Sequence, residues 1–113
     1  MHEMSIALNI IDLATDQARK AEAEKINEIG LDIGTMSGIE VDALNFAMEI
    51  AVKDTMLENA LIKVNRIEAV SECQECGHVF DSEGFISQCP KCREMNTTII
   101  KGREMQLKSI LVE

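Results

Sequence analysis

Aromatic and basic residues are scarce in this chain. It has no tryptophan and no tyrosine, and its aromatic residues are three phenylalanines. Lysine and arginine number 11 against 20 acidic residues, which gives a formal charge of -9. Nucleic-acid binding depends mainly on phosphate neutralisation, and single strands also need aromatic stacking platforms. We therefore expect no nucleic-acid partner.

Long apolar runs are also missing. No stretch approaches the ~20 apolar residues of a membrane span, and we find no secretory leader. We expect a soluble cytoplasmic protein without a membrane partner, and reduced cysteines agree with that compartment. The length of 113 residues supports one compact domain, or one domain with a small insertion.

The four cysteines form two CxxC pairs, Cys73/Cys76 and Cys89/Cys92, with twelve residues between the pairs. A CxxC turn holds two sulfurs at a separation that suits a tetrahedral metal, and four thiolates are typical ligands of Zn²⁺. The spacing therefore predicts a structural zinc site. Four thiolates leave no open coordination position for catalysis, so the site does not by itself indicate a function.

Other uses of the cysteines remain open. Disulfides suit secreted, cysteine-dense scaffolds, and a redox CxxC needs only one pair. Iron fits the same four-thiolate geometry as zinc. His78 follows Cys76 closely and is an alternative ligand, although an exposed loop histidine is the simpler interpretation.

The first part of the chain predicts a helix and then a strand. Residues 4–22 repeat apolar side chains at helical spacing, and residues 25–33 alternate as a half-buried strand does. The predicted apolar face of the helix is Met4, Ala7, Leu8, Ile11, Ala14 and Ala18, widened by Ile6 and Ile10.

A second helix should run from Ser37 to about Thr55, with Ser37 and Glu40 as a capping box. Phe46 and Ile50 make it so apolar that we expect more than one side to be covered. Residues 60–69 predict a strand, and a bulge or a strand end near Asn65 would reconcile Arg66 with the alternation. Residues 103–113 predict a closing strand that alternates strictly.

These elements predict an α+β fold: two helices packed on a small mixed sheet, with an inserted four-cysteine, zinc-ribbon-like module. We assign residues 1–69 and 97–113 to an α/β domain and residues 70–96 to the zinc-binding module.

The start of the chain carries a second candidate metal site. His2 is too large for efficient methionine removal, so we expect the mature protein to begin at Met1. The α-amine and the His2 imidazole both titrate near neutral pH. Together with the intervening amide nitrogens they form a nitrogen set that suits Ni(II) or Cu(II) better than Zn²⁺. Glu3 adds a carboxylate that can bind the ion or orient His2.

Four segments in this order resemble the HypA/HybF hydrogenase maturation proteins. They are the start Met1–Ser5, the turn Gly34–Gly38, the two cysteine pairs and the tail Gly102–Ile110. The resemblance covers essentially the whole chain. It implies a nickel metallochaperone, not an enzyme, with an α/β nickel-binding domain and an inserted zinc domain.

By the same resemblance, such proteins deliver Ni(II) to the large subunit of [NiFe] hydrogenase, with a GTPase partner, and in some organisms they also serve urease. The nickel ligands implied are the Met1 amine, His2 and backbone nitrogens of His2 and Glu3, with the Glu3 side chain as a further candidate. The zinc ligands implied are Cys73, Cys76, Cys89 and Cys92.

One residue departs from the family pattern, because Arg93 follows Cys92 where the family often has glycine. Glycine tolerates left-handed conformations that are common in such knuckles. Either Arg93 weakens the knuckle or the turn does not need glycine.

Two other functions are alternatives to nickel transport. The first is a zinc-ribbon interaction or regulatory module that docks a basic partner on the acidic surface. The second, a zinc hydrolase, is disfavoured, because His78, Asp81 or Glu83 could enter the site only by leaving cysteines unused.

Overall fold

The structure, a computed structural model, describes residues 3–82, 84 and 87–113. Two helices and six strands follow one another along these residues. In chain order they are α1 (Glu3–Lys20), β1 (Ile26–Gly34), α2 (Val41–Ala51), β2 (Leu61–Ile67), β3 (Val70–Cys73), β4 (Val79–Asp81), β5 (Thr97–Lys101) and β6 (Met105–Val112).

The larger part of the fold is a three-stranded mixed sheet with two helices. Its strand order is β2-β1-β6, in which β2 is parallel and β6 antiparallel to β1. Both helices contribute side chains to one apolar core over β1, whose Ile29, Leu31 and Ile33 are buried as the alternation predicted. The predicted α+β fold, with two helices and a small mixed sheet, is therefore confirmed.

The apolar face of α1 is displaced from the predicted one. Ala7, Ile11, Ala14 and Ala18 are buried as expected, and Ile10 belongs fully to the core. The placement of Met4 and Leu8 in the core was wrong, since Leu8 is 51% exposed and Met4 also lies at the surface. The helix has apolar residues around most of its circumference, so spacing alone could not select the face that packs.

The start and the outer face of α2 also differ from expectation. The helix begins at Val41, with Glu40 as the N-cap residue whose side chain accepts from the Asp42 N–H. Ser37 instead accepts from the Ile39 N–H within the preceding turn, so the predicted capping box is wrong. Phe46, which is 65% exposed, and Ile50 lie on an uncovered side of the helix. The prediction that more than one side is covered is therefore wrong.

β2 contains no bulge near Asn65, because its pairing with β1 is continuous from Leu61 to Ile67. Arg66 pairs with the core residue Ile33 and therefore lies on the helix side of the sheet. It lines a hollow with Glu40 and other residues at the start of α2. The helix layer ends there, so Arg66 reaches water without any change of register.

The register shifts of this sheet lie instead in the pairing of β1 with β6, at the edge of the sheet opposite to β2. Asn27 in β1 and Lys108 in β6 have no opposite residue in the β1–β6 pairing. The extra residue Lys108 brings Ile110 and Val112 to the core side together with Leu107, whereas Leu111 is exposed. The strict alternation predicted for residues 103–113 is therefore wrong, because a bulge exchanges the two faces.

A second three-stranded sheet, of order β4-β3-β5, carries the cysteines. Both β4 and β5 are antiparallel to β3. The division of the chain at residues 69/70 and 96/97 stays a prediction. The pairing of β5 with β3 groups Thr97–Lys101 with the cysteine-bearing strands.

The two sheets are joined where the turn after β1 meets the segment between β5 and β6. The Gly34 N–H donates to the Glu104 carbonyl at 2.7 Å, and the Met36 N–H donates to the Gly102 carbonyl at 2.7 Å. A Cβ at Gly34 would lie 2.0 Å from the Gly102 oxygen. Only glycine at position 34 permits this close backbone contact.

Candidate metal centre

The first cysteine pair forms a tight knuckle at the end of β3. The Gly77 N–H donates to the Cys73 carbonyl at 2.9 Å, and the Cys76 N–H points at the Cys73 Sγ at 3.5 Å. Gly77 has a φ of 76°, which is left-handed. This reversal places both sulfurs on the same side of the turn.

The second pair repeats this geometry. The Arg93 N–H donates to the Cys89 carbonyl at 2.8 Å, and the Cys92 N–H points at the Cys89 Sγ at 3.5 Å. Arg93 has a φ of 65°, so it occupies the left-handed position that Gly77 occupies in the first knuckle. The turn therefore requires a left-handed residue, and a side chain there costs about 1–2 kcal/mol relative to glycine.

The two knuckles bring the four sulfurs together. All four Sγ atoms lie within 4.8 Å of one another, with Cys73 and Cys92 at 3.5 Å and Cys76 and Cys89 at 3.6 Å. A Zn–S bond of about 2.3 Å implies sulfurs about 3.8 Å apart in a tetrahedron. All four cysteines are free thiols, so no disulfide competes for them. The donor set and its spacing therefore fit one tetrahedral, sulfur-bound structural metal ion.

The thiols influence one another strongly. Burial raises the pKa of Cys89, but the backbone N–H groups of Cys92 and Lys91 outweigh it and lower the pKa to about 6. The Glu94 N–H lowers the pKa of Cys92, yet burial and the crowding of the other sulfurs raise it to about 12. Closely packed thiols resist complete deprotonation, because each new thiolate repels the next. A bound divalent cation would offset this repulsion between the thiolates.

His78 is not part of the cluster formed by the described residues. Its ring stacks on Phe80, with the ring centroids 5.9 Å apart. Its carbonyl accepts a 2.9 Å hydrogen bond from the Cys73 N–H. His78 thus supports the first knuckle through its backbone, and the four sulfurs complete the ligand set without it.

A chain of hydroxyl groups links β3 to the segment before Cys89, and it was not predicted from the sequence. Ser71 donates to the Ser82 Oγ at 2.9 Å, Ser82 donates to the Gly84 carbonyl at 3.1 Å, and the Ser82 and Ser87 hydroxyls are 3.1 Å apart. The Thr97 hydroxyl donates to the Ser87 carbonyl at 2.8 Å. These bonds tie β3 and β5 to the segment that leads into Cys89.

A signal for this network was present in the sequence. Each knuckle has a serine two residues before its first cysteine, as Ser71 before Cys73 and Ser87 before Cys89. In extended backbone, residues two apart share a face. Both serines are buried, at 1% and 6% exposure. The matched Ser-x-Cys-x-x-Cys pattern thus marks the hydroxyls that accompany the sulfurs.

The predicted nickel ligands are only partly covered by the structure. Met1 and His2 lie outside the described residues. Glu3 is the first residue of α1 and is half-buried. The backbone at Glu3 is therefore already helical, and the helix that it begins packs into the core. Among the described residues, no helix combines the length and apolarity needed to cross a bilayer.

Comparison with known families gives a match over nearly the whole chain. Residues 1–112 match the family model described as "Hydrogenase/urease nickel incorporation, metallochaperone, hypA". The hydrogenase maturation factors HypA of Chlorobaculum parvum and Prosthecochloris aestuarii are similar. They are 38% and 39% identical over 113 residues, with both chains covered completely in each comparison.

Solved structures with the same fold are similar too. The solution structure of the Ni metallochaperone HypA from Helicobacter pylori aligns with a TM-score of 0.71 and 29% identity, over 99% of this chain and 97% of that one. A second solution structure of a HypA protein aligns with a TM-score of 0.76 and 29% identity, over 100% and 97% of the two chains.

Proposed function

The chain belongs to the HypA family of nickel metallochaperones for hydrogenase maturation, and we propose that it binds Ni(II) at its amino terminus and delivers it to the [NiFe] hydrogenase large subunit. The observation that carries this proposal is the helix start at Glu3. Glu3, a candidate ligand residue, thus belongs to a helix that packs into the core. A ligand set that includes Glu3 would have one member on a fixed element.

The proposed nickel ligands are nitrogen atoms of the first three residues. They are the Met1 amine, the His2 imidazole and the backbone nitrogens of His2 and Glu3, with the Glu3 carboxylate as a further candidate. Nitrogen-rich, near-planar sites favour Ni(II) over Zn²⁺. We propose that an acceptor protein replaces these ligands one at a time.

For the four sulfurs we propose structural zinc. Cys73, Cys76, Cys89 and Cys92 would hold the ion, and its chemical contribution is to fix the two knuckles against each other. Such a site has no coordination position free for a second ligand. Nickel therefore needs ligands elsewhere in the chain, and the protein acts as a carrier rather than as a catalyst.

The proposed setting is the cytoplasm, where free thiols persist. The proposed partners are the GTPase of hydrogenase maturation and the hydrogenase large subunit, with urease maturation as a further role. Co-purification of the untagged chain from cells that express hydrogenase would identify the GTPase and the acceptor directly.

Replacing His2 provides the main test of the nickel site. His2→Ala should abolish tight Ni(II) binding in calorimetry, because it removes the imidazole ligand, while zinc content and helicity stay unchanged. His78→Ala is the matched control, since His78 is the other histidine of the chain. Equal nickel affinity of the His2→Ala and unmodified proteins would refute the assignment.

Two further measurements distinguish a nickel carrier from a docking module that does not bind nickel. One extra residue before Met1 should weaken nickel binding as much as His2→Ala does, whereas a docking module would tolerate it. Acidification from about pH 8 to about pH 6 should release nickel, because its nitrogen ligands must lose protons to bind. An affinity that stays flat over this range would contradict nitrogen ligation.

A further inference from the structure

An apolar groove lies between α1 and β6, at the edge of the sheet opposite to β2. We refer to it as the β6 groove; its volume is about 720 Å³. Among its lining residues are Leu13 and Gln17 from α1, and Met105, Leu107, Lys108 and Ile110 from β6. A smaller cavity of about 110 Å³, which shares Leu13, Met105 and Leu107, extends it toward Ile6 in α1.

The floor of this groove is an edge strand. Within the part of the chain that the structure describes, β6 pairs with β1 on one side and with no strand on the other. The outer edge of such a strand presents N–H and C=O groups that only another extended backbone can satisfy in a regular ladder. Leu13 and Met105, which are 52% and 47% exposed, flank this edge. An unpaired edge beside apolar side chains is the arrangement used in recognition by strand addition.

The charge of the residues that line the groove indicates which kind of partner strand fits it. Of the described residues that line the groove, Lys108 alone is charged, in a chain whose net charge is -9. It lies at the bulge near the middle of β6. Two-fold pairing of β6 with a second copy would bring the two Lys108 residues together. A partner strand with an acidic side chain at this point would instead form an ion pair with Lys108.

We propose that the β6 groove binds an extended segment of a partner protein by strand addition, with alternating apolar side chains directed into the groove and an acidic side chain near Lys108. The inference is independent of the nickel proposal, since it uses no residue of the amino terminus. The bulge at Lys108 divides the edge into two short stretches, so binding should be weak and reversible, which suits a transient encounter.

A synthetic octapeptide of alternating glutamate and valine, capped at both ends, is a suitable probe. Titrated into the full-length zinc-loaded protein, it should shift the amide NMR signals of residues 105–112 and leave those of β4 unchanged. Two further peptides carry N-methyl groups on opposite sets of alternate nitrogens, which defines two registers of methylation. In one of the two registers the β6 shifts should disappear, because methylation removes the ladder hydrogen bonds. Absence of any β6 shift, or no effect of methylation in either register, would overturn the proposal.

Matched substitutions test the groove itself. Leu13→Asp should weaken peptide binding about tenfold or more, because it puts a charge among the apolar contacts. Leu8→Asp is the control on the same helix, since Leu8 is equally exposed and does not line the groove. Equal effects of the two variants would contradict the proposal. If Leu13→Asp does not fold, Lys108→Glu compared with Lys53→Glu makes the same distinction, since Lys53 is an exposed lysine after α2 that does not line the groove.

Competing occupants give different results. Concentration-dependent dimerisation that shifts the β6 amides and is lost in Leu13→Asp would assign the groove to a second copy of the chain. A lysine–valine octapeptide that binds as tightly as the glutamate–valine one would refute the acidic partner. Either result overturns the proposal as stated.

Discussion

The two sheets of this protein are stabilised in different ways. Among the described residues, the helical half buries a cluster of 14 apolar side chains, supplied by the two helices, β1 and the segment after α2. In the cysteine half, the buried described residues are Ala69, two cysteines and two serines. A segment this small cannot bury enough apolar surface to fold by the hydrophobic effect alone. Sulfur ligands and hydroxyl groups occupy the positions that a core would fill.

The connection between the halves is made by backbone. Met36, in the turn after β1, donates its N–H to the carbonyl of Gly102, which directly follows β5, at 2.7 Å. The apolar core described above contains no residue of β3, β4 or β5. We therefore expect either half to lose its structure without carrying the other with it.

Removal of the metal should have the largest effect. Treatment with a strong chelator, or Cys73→Ser, should abolish amide protection throughout β3, β4 and β5, because structural zinc, the ion proposed for this site, supplies on the order of 10 kcal/mol to such modules. Protection in β1 should persist. Hydrogen exchange measured by mass spectrometry checks both halves in one experiment. Loss of protection in β1 at the same rate would show that the fold is a single cooperative unit.

The converse experiment weakens the apolar core. Leu44→Ala should destabilise the helical half by about 2–5 kcal/mol, since Leu44 is fully buried and its removal leaves a cavity. Urea unfolding followed by helical circular dichroism measures this loss. Phe46→Ala is the control on the same helix, because Phe46 is exposed and should cost about 0.5 kcal/mol or less. Zinc retention should be unchanged in both variants.

The same contrast explains what could be predicted from the sequence. The CxxC pairs were predictable because metal ligation fixes both residue type and spacing, and the structure gathers all four sulfurs. The core strand was predictable because Ile29, Leu31 and Ile33 alternate with polar or small residues. In both cases a local pattern is sufficient to specify the contact.

The errors arose where long-range packing selects among equivalent local patterns. Leu8 and Ile10 are both apolar and helical, and only the position of the sheet leaves Leu8 in water. The bulge at Lys108 depends on the pairing of β6 with β1, which are distant in sequence. Arg66 suggested a bulge in β2 because the sequence does not show where the helix layer ends. The serine network required knowledge of which hydroxyls the knuckles bring together.

Interruption of the hydroxyl chain should have an intermediate effect. Ser82→Ala removes the group that accepts from the buried Ser71, which should cost the cysteine half about 1–3 kcal/mol. Zinc release to a chromogenic chelator should be faster, while helical unfolding in urea stays unchanged. Ser109→Ala in the other sheet is the control, because Ser109 is exposed. Equal release rates for the two variants would show that the hydroxyl chain does not support the second knuckle.

The smallest expected effect distinguishes the two knuckles from each other. Arg93 and Gly77 occupy the same left-handed position, at φ 65° and 76°. Arg93→Gly should therefore strengthen zinc retention by about 1 kcal/mol, because glycine adopts this conformation without strain. Gly77→Ala should weaken it by a similar amount. A Cβ at Gly77 would meet no atom within 4 Å, so the change tests backbone strain alone.

Competition with a chelator of known zinc affinity measures the zinc affinity of both variants, Arg93→Gly and Gly77→Ala, under the same conditions. The greater freedom of glycine in the unfolded chain reduces the gain from Arg93→Gly, so the two effects need not be equal in size. Their signs must be opposite, however, if the same turn geometry governs both knuckles. Should Arg93→Gly loosen zinc as Gly77→Ala does, the arginine side chain itself stabilises the second knuckle, and the departure from glycine at this position is an adaptation rather than a strain.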